Sequence, residues 1–267
     1  MPDLYLSISD QPDAVLEAIA NSMDDRARDP EMQEICASYM GRLPGPGATI
    51  LEIGCGNGAS TAMLVDAASP GQLTCVDPAE GLLDRARRRF AGQDSIRFAP
   101  GDAVNTGQPD SAFDVVVAHT VYSHLSDPRA ALAESFRVLK PGGTLAVFDG
   151  DYATNTVALF EGDPLQAAMT ATLRNLIHDP YIMRKLPRMM VEAGFDAPRT
   201  AAHGFVQTQQ PDYILSLMAR GVTAATKAGE CGVELSTAFE AEAARRVADG
   251  SFYGAILFAS AIAVKPA

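Results

Sequence analysis

The chain has 267 residues, 47% of them hydrophobic, which is enough for one substantial domain with a generous core or one domain carrying a cap. Its 33 acidic residues against 21 Lys and Arg give a net charge of −12, which argues against a nucleic-acid substrate, whose backbone needs a basic stripe, and mainly implies solubility. Cys36, Cys55, Cys75 and Cys231 lack C-x-x-C or other ligand spacing, so neither a zinc site nor a disulfide framework is expected.

Residues Gln11 to Met23 and Pro30 to Leu43 have helix-compatible apolar spacing, ended by Pro44-Gly45-Pro46-Gly47, so that 1–47 reads as a helical N-terminal cap. Met1 to Ile8 has neither a basic start nor a long apolar core, which argues against a signal peptide and for a cytoplasmic protein. Thr49 to Ile53 is a buried-strand pattern that stops in Gly54-Cys55-Gly56-Asn57-Gly58, and a helical pattern follows. The three glycines remove the Cβ atoms that would keep a ligand from the backbone, and the loop lies at a helix N-terminus. Read with Ala59, the same loop satisfies the looser dinucleotide fingerprint, so by itself it leaves a nicotinamide cofactor open.

Farther on, the strand candidate Gln72 to Val76 ends in Asp77, placed to accept hydrogen bonds from both hydroxyls of a ribose, or else to cap the helix that begins near Ala79. Arg85, Arg87, Arg88 and Arg89 fall late in that helix, where a solvated helix end explains them. Ile96 to Ala99 runs into Gly101-Asp102-Ala103. Phe113 to His119 is a fourth strand, with Asp114 read as structural, and Leu139 to Gly143 forms a proline- and glycine-governed turn into a fifth. Those segments decide between the cofactors. Over Thr49 to Asp149 the chain resembles the class I S-adenosylmethionine-dependent methyltransferases.

The resemblance implies an α/β fold: a Rossmann-like doubly wound seven-stranded sheet, mostly parallel with an antiparallel last strand, plus helical cap insertions. It implies S-adenosylmethionine as cofactor, with Glu52 ordering the loop and the amino-acid end, and with Gly54, Gly56 and Gly58 passing close to it. Asp77, with Pro78 beside it, would hold the ribose, and Asp102 and Ala103 the adenine. Ala118 and His119 would run beside the methionine portion. The core then spans 48–150, a helical substrate cap 151–198, and the completion of the core 199–267. In that last part Thr200 to Thr208 is strand six, Tyr253 to Val264 strand seven, and 211–249 a helical insertion broken between Ala228 and Val233. That insertion either closes the pocket or forms a partner surface, and a homodimer is left open. The Phe252 to Val264 run is too short for a membrane span.

The implied chemistry is in-line displacement at a sulfonium methyl carbon by an O, N or C nucleophile of a small organic acceptor. A base is needed only when that nucleophile carries a proton. His124, on the loop after strand four, is the leading base candidate; its alternative is a structural hydrogen-bonding role before the next helix. Asp149, Asp151 and Tyr152 leave strand five in the same region, Asp151 and Tyr152 as catalytic candidates and Asp149 with Tyr122 as substrate contacts; turn formation explains them equally well. Tyr5, Gln33 and Tyr39 are expected to pack in the core, and His178 and His203 at the surface or in packing. No carboxylate cluster has spacing for magnesium. Phe160, Met169, Met183, Met189, Met190 and Met218 lean toward a hydrophobic or aromatic acceptor. A reaction without methyl transfer, or a non-catalytic cofactor-binding role, fits the same motifs.

Overall fold

The computed structural model describes residues 3–267 and contains one seven-stranded sheet in the order β3-β2-β1-β4-β5-β7-β6. The strands are β1 (Thr49–Ile53), β2 (Gln72–Asp77), β3 (Ile96–Pro100), β4 (Phe113–His119), β5 (Leu139–Thr156), β6 (Arg199–Gln207) and β7 (Gly254–Val264). Strands β1 to β5 pair in parallel, and β7 runs antiparallel to both β5 and β6. The sheet is thus the doubly wound, mostly parallel one expected, with the last strand reversed.

Nine helices join the described strands: α1 (Asp13–Arg28), α2 (Pro30–Met40), α3 (Ala59–Ala68), α4 (Glu80–Arg89), α5 (Pro128–Val138), α6 (Pro164–Leu176), α7 (Ile182–Glu192), α8 (Asp212–Lys227) and α9 (Val233–Ala248). Asp29 ends α1 and starts α2, its carboxylate accepting the Glu31 and Met32 N–H groups at 2.9 and 3.3 Å ahead of Pro30 in the first turn. Alternation along the central strands feeds two cores. Ile50, Val115, Val117, Ala146 and Phe148 face α2, α3, α6 and α8, while Leu51, Ile53, Val116, Ala118, Leu145 and Val147 face α5 and α7. A period of two that is apolar on both faces is why these strands read as continuous apolar runs.

Strand β5 differs from expectation in two ways. Leu139 already pairs with Phe113, and Thr144 resumes the ladder opposite Val115, so Lys140 to Gly143 bulge out of the strand, with Gly142 at φ +77°. The strand then continues past Asp149, pairing Asp151 with Leu257 and Thr156 with Ala255. Asp151 and Tyr152 are therefore strand residues ahead of the cap. Of the helices that follow, α6 packs on α8, but α7 lies with α5 against the sheet and its Met183, Met189 and Met190 belong to that far core.

Order reverses between β1 and β4, so the connections leaving these neighbours diverge, and open α/β sheets bind ligands at such a point. Helix α1 and the short 3-10 segment Leu4–Asp10 close over it.

Candidate active site

A cavity of about 200 Å³ occupies this switch point, lined from below by Ile53, Gly54, Cys55, Asp77, Asp102, Ala103, His119 and Thr120 and from above by Tyr5, Leu6, Ile8, Met23 and Arg26. The loop after β1 owes its shape to glycine. Gly54 has φ +70° and Gly56 φ +54°, backbone that L side chains rarely adopt. A Cβ on Gly54 would lie 2.5 Å from Val121 Cγ2, and one on Gly56 2.7 Å from Met23 Sδ. Gly56 and Gly58 do not line the cavity; they hold the loop from behind, Gly56 by donating its N–H to Asp77 Oδ2 at 2.8 Å and Gly58 by starting α3.

Glu52 is fully buried beneath the loop. Its two oxygens accept from Ser60 Oγ at 2.6 Å and Thr61 Oγ1 at 2.5 Å, which fastens the first turn of α3 to β1. Burial pushes its carboxyl above the usual range, and the two hydroxyls oppose that shift. Glu52 acts on the loop and not on the cavity, and Ala118 likewise sits wholly in the core.

Asp77 caps the next helix and also faces the cavity. Its Oδ1 accepts the Ala79 N–H at 2.9 Å at the head of α4, while the carboxylate remains part of the cavity wall with Pro78. Desolvation raises its pKa to about 6, against the pull of the Ala79 and Gly56 N–H groups. At the end of the next strand, Asp102 accepts the Val104 N–H at 2.7 Å and stands at the cavity with Ala103. His119 closes β4: Nδ1 lies 2.7 Å from the Tyr39 hydroxyl, the ring stacks on Phe148 at 4.7 Å, and Nε2 is buried without a partner. Burial holds this imidazole neutral, well below its ordinary pKa.

His124 lines the cavity, its Nδ1 2.6 Å from Asp3 Oδ2, with the Tyr5 ring 4.1 Å away. Asp3 is almost fully buried and also accepts the His178 N–H at 2.9 Å. The other candidates lie elsewhere. Tyr122 packs in the far core and is only 1% exposed, because the 3-10 turn Tyr122–His124 rotates it to the opposite side from His124. Asp149 is buried and spends its oxygens on the Ser123 and Gly150 N–H groups, at 2.9 and 2.8 Å, fixing the loop that carries His124. Burial raises its pKa, opposed by the nearby His124. Asp151 pairs with Arg184 at 2.7 Å, outside the cavity. Tyr152 is absent from this cavity but lines a smaller one behind it. None of Phe160, Met169, Met183, Met189, Met190 and Met218 reaches either cavity, so the apolar lining expected of the cap is not at the site.

Asp3, Arg26 and Thr120 were missed by sequence reasoning. Arg26 donates to Thr120 Oγ1 at 2.9 Å and sits over the Tyr213 ring at 5.6 Å. Thr120 has φ +56°, an unusual conformation for a non-glycine residue directly after β4. Among the described residues, no helix is long and apolar enough to cross a membrane.

The donor set fits an adenosyl cofactor: a glycine loop that a Cβ would obstruct, a buried carboxylate at the end of β2, an exposed one after β3, and an unpartnered imidazole nitrogen at the end of β4. Residues 51–147 match the family model of a methyltransferase domain. An uncharacterized 37.1 kDa protein in transposon TN4556 of Streptomyces fradiae is 30% identical over 187 residues, 69% of this chain and 54% of that protein. Demethylmenaquinone methyltransferase of Clavibacter sepedonicus is 38% identical over 104 residues, 39% of this chain and 42% of its own length. The chain thus spans about half the length of the curated relatives it matches. Among solved structures, phosphoethanolamine N-methyltransferase 2 of Haemonchus contortus, in complex with S-adenosylhomocysteine, superposes with a TM-score of 0.59 at 16% identity, covering 98% of this chain and 60% of that one. With the strand order, the motif order and the matched domain in agreement, the chain carries a methyltransferase domain of the class I S-adenosylmethionine-dependent kind over residues 51–147.

Proposed function

We propose that the protein transfers a methyl group from S-adenosylmethionine to a small organic acceptor, with Asp77 on the ribose diol, Asp102 and the Ala103 N–H on the adenine, and His124 as base. The observation that carries this reading is the meeting of the glycine loop, Asp77, Asp102 and His119 around one cavity at the switch point of the sheet. When bound, the cofactor supplies an electrophilic methyl carbon with a neutral thioether as leaving group, so the protein has mainly to bind, orient and exclude water.

The chain's own residues suit those tasks. Tyr5, Leu6, Ile8 and Met23 line the cavity on the side of the N-terminal segment and α1, an apolar cover that would exclude water from a bound cofactor. His124, held through Nδ1 by the Asp3 carboxylate, keeps its proton on that side and leaves Nε2 as the basic atom for an acceptor that must lose a proton. Asp3 then stabilises the imidazolium that forms, and is a positioning residue. Asp149 sets the loop on which His124 stands. Asp151 and Tyr152 have no part in this reading, since one is paired with Arg184 and the other lies deep in the wall.

The test is production of S-adenosylhomocysteine from S-adenosylmethionine with a panel of phenols, amines and carboxylic acids. Turnover that depends on the acceptor, and is lost in His124→Ala, is the expected result. S-adenosylhomocysteine that binds in calorimetry but is formed from no acceptor would favour the reading without methyl transfer.

A further inference from the structure

Behind the main cavity lies a second chamber of about 40 Å³. Tyr5, Met23, Arg26, Thr120 and His124 line both, so the two share a wall. Tyr152, Tyr213 and Arg220 line only the inner one. A water needs about 10–15 Å³ of such space, so the chamber accepts a group of about three heavy atoms, the size of a carboxylate.

Its charge is one-sided. Two guanidinium groups line the chamber and no carboxylate does. Neither Arg26 nor Arg220 enters an ion pair among the described residues, and Arg220 Nε is buried with no hydrogen-bond partner. Elsewhere the protein pairs its buried cations: Arg246, 4% exposed, is bonded to both Asp163 and Glu242. A chain with a surplus of twelve negative charges has carboxylates to spare, yet places none here. Arg26 and Arg220 are half-buried, with the Arg220 Nε fully so, and a partly desolvated cation without a counter-charge carries a cost that a bound anion removes. The planar fork of arginine matches the two oxygens of a carboxylate.

We propose that the inner chamber is the acceptor's anion subsite, in which Arg220 with Arg26 holds a carboxylate of the methyl acceptor, and the rest of the acceptor extends past His124 toward the main cavity. The substrate class is a small carboxylic acid. This rests on the reading of the main cavity as the cofactor site. The cofactor carries a carboxylate of its own, and Arg26, on the shared wall, can meet either one; Arg220 belongs to the inner chamber alone and separates the two sources.

Calorimetry on the full chain tests the assignment, first with S-adenosylhomocysteine alone, then on the loaded protein with acetate and benzoate against acetamide and benzamide. The acids are expected to bind at least tenfold more tightly than the amides. Arg220→Gln should weaken the acids tenfold or more while changing S-adenosylhomocysteine affinity less than threefold, and Arg220→Lys should recover part of the loss. Acids and amides binding alike, or no acid binding, would overturn the subsite. An Arg220→Gln variant that weakens S-adenosylhomocysteine as much as the acids would assign the anion to the cofactor instead. Wild-type protein that fails to bind S-adenosylhomocysteine would overturn the cofactor reading, a separate outcome. The thermal midpoint of each variant, with and without S-adenosylhomocysteine, shows whether it is folded.

Discussion

Asp77 titrates near the range in which cofactor affinity can be followed, and its replacement isolates one carboxylate at the ribose position. With its pKa at about 6, the side chain is ionised at pH 7 and only about one-eleventh ionised at pH 5. If the ribose hydroxyls donate to it, the protonated form loses acceptor capacity. S-adenosylhomocysteine affinity should then be full above about pH 7 and fall about tenfold by pH 5, roughly 1.4 kcal/mol. Asp77→Asn should flatten that dependence. It should also weaken binding about 10- to 100-fold at pH 7.5, since hydrogen bonds to a charged group are each worth about 1.5–3 kcal/mol and asparagine has one acceptor oxygen where the carboxylate uses Oδ2 for Gly56 and Oδ1 for Ala79. Isothermal calorimetry between pH 5 and 8 measures both. An affinity in wild type that does not change with pH, or an Asn variant within threefold of it, would refute the assignment. Stability has the opposite slope. The ligand-free native state binds a proton here between about pH 4 and pH 6 that the unfolded chain has released, so this group lowers stability as pH rises through that window, by up to about 3 kcal/mol.

Other expected outcomes follow from the geometry. His124→Ala should reduce turnover of proton-bearing acceptors by about 10²–10⁴-fold with S-adenosylhomocysteine affinity nearly unchanged, and Asp3→Asn should fall between it and wild type in steady-state assays. Gly54→Ala should abolish S-adenosylhomocysteine binding in calorimetry, and Val121→Ala added to it should restore only part, because the clash is relieved but the positive φ remains. Asp163→Ala removes the buried partner of the Arg246 cation and leaves it Glu242 alone, which should cost about 3 kcal/mol in denaturant titration, with ligand affinity of the folded protein unaffected. The arginine beside it holds the Asp163 carboxyl down at about 2, below its unfolded value, so that stabilisation is present above about pH 4 and drains away as pH falls toward 2.

What could be read from the sequence was whatever depends on short range and periodicity. The β1 loop, Asp77, Asp102 and the end of β4 stand at strand termini, where a change of pattern marks both the end of an element and the mouth of a crevice. The break between α8 and α9 was visible in the glycines at 229 and 232. Strand five was read too short because its bulge looks like a turn and its exit carries Asp149, Asp151 and Asn155, residues typical of loops; pairing with β7 carries it on to Thr156. Tyr122 and His124 show the limit of proximity in sequence, since a two-residue offset in a tight turn sends one ring into the core and the other to the cavity. Asp3, Arg26 and Arg220 were illegible for another reason: they reach the site from segments with no motif, through packing of α1 and α8 that no local pattern encodes.

The Asp3 carboxylate joins residues 121 and 175 positions away, His124 and the His178 backbone, whereas the floor of the cavity is made between strands that adjoin in the sheet. Floor and roof therefore differ in loop-closure entropy, and the roof opens at the cost of the Ile8 contacts with Leu16, Ile19 and Leu82 while the strand pairing of the floor stays intact. Ligand exchange should then be a local opening of Leu4–Asp10, with an amide-exchange signature of its own: fast protection loss at Tyr5 to Ile8 while Ile50 to Ile53 and Val115 to Ala118 stay closed.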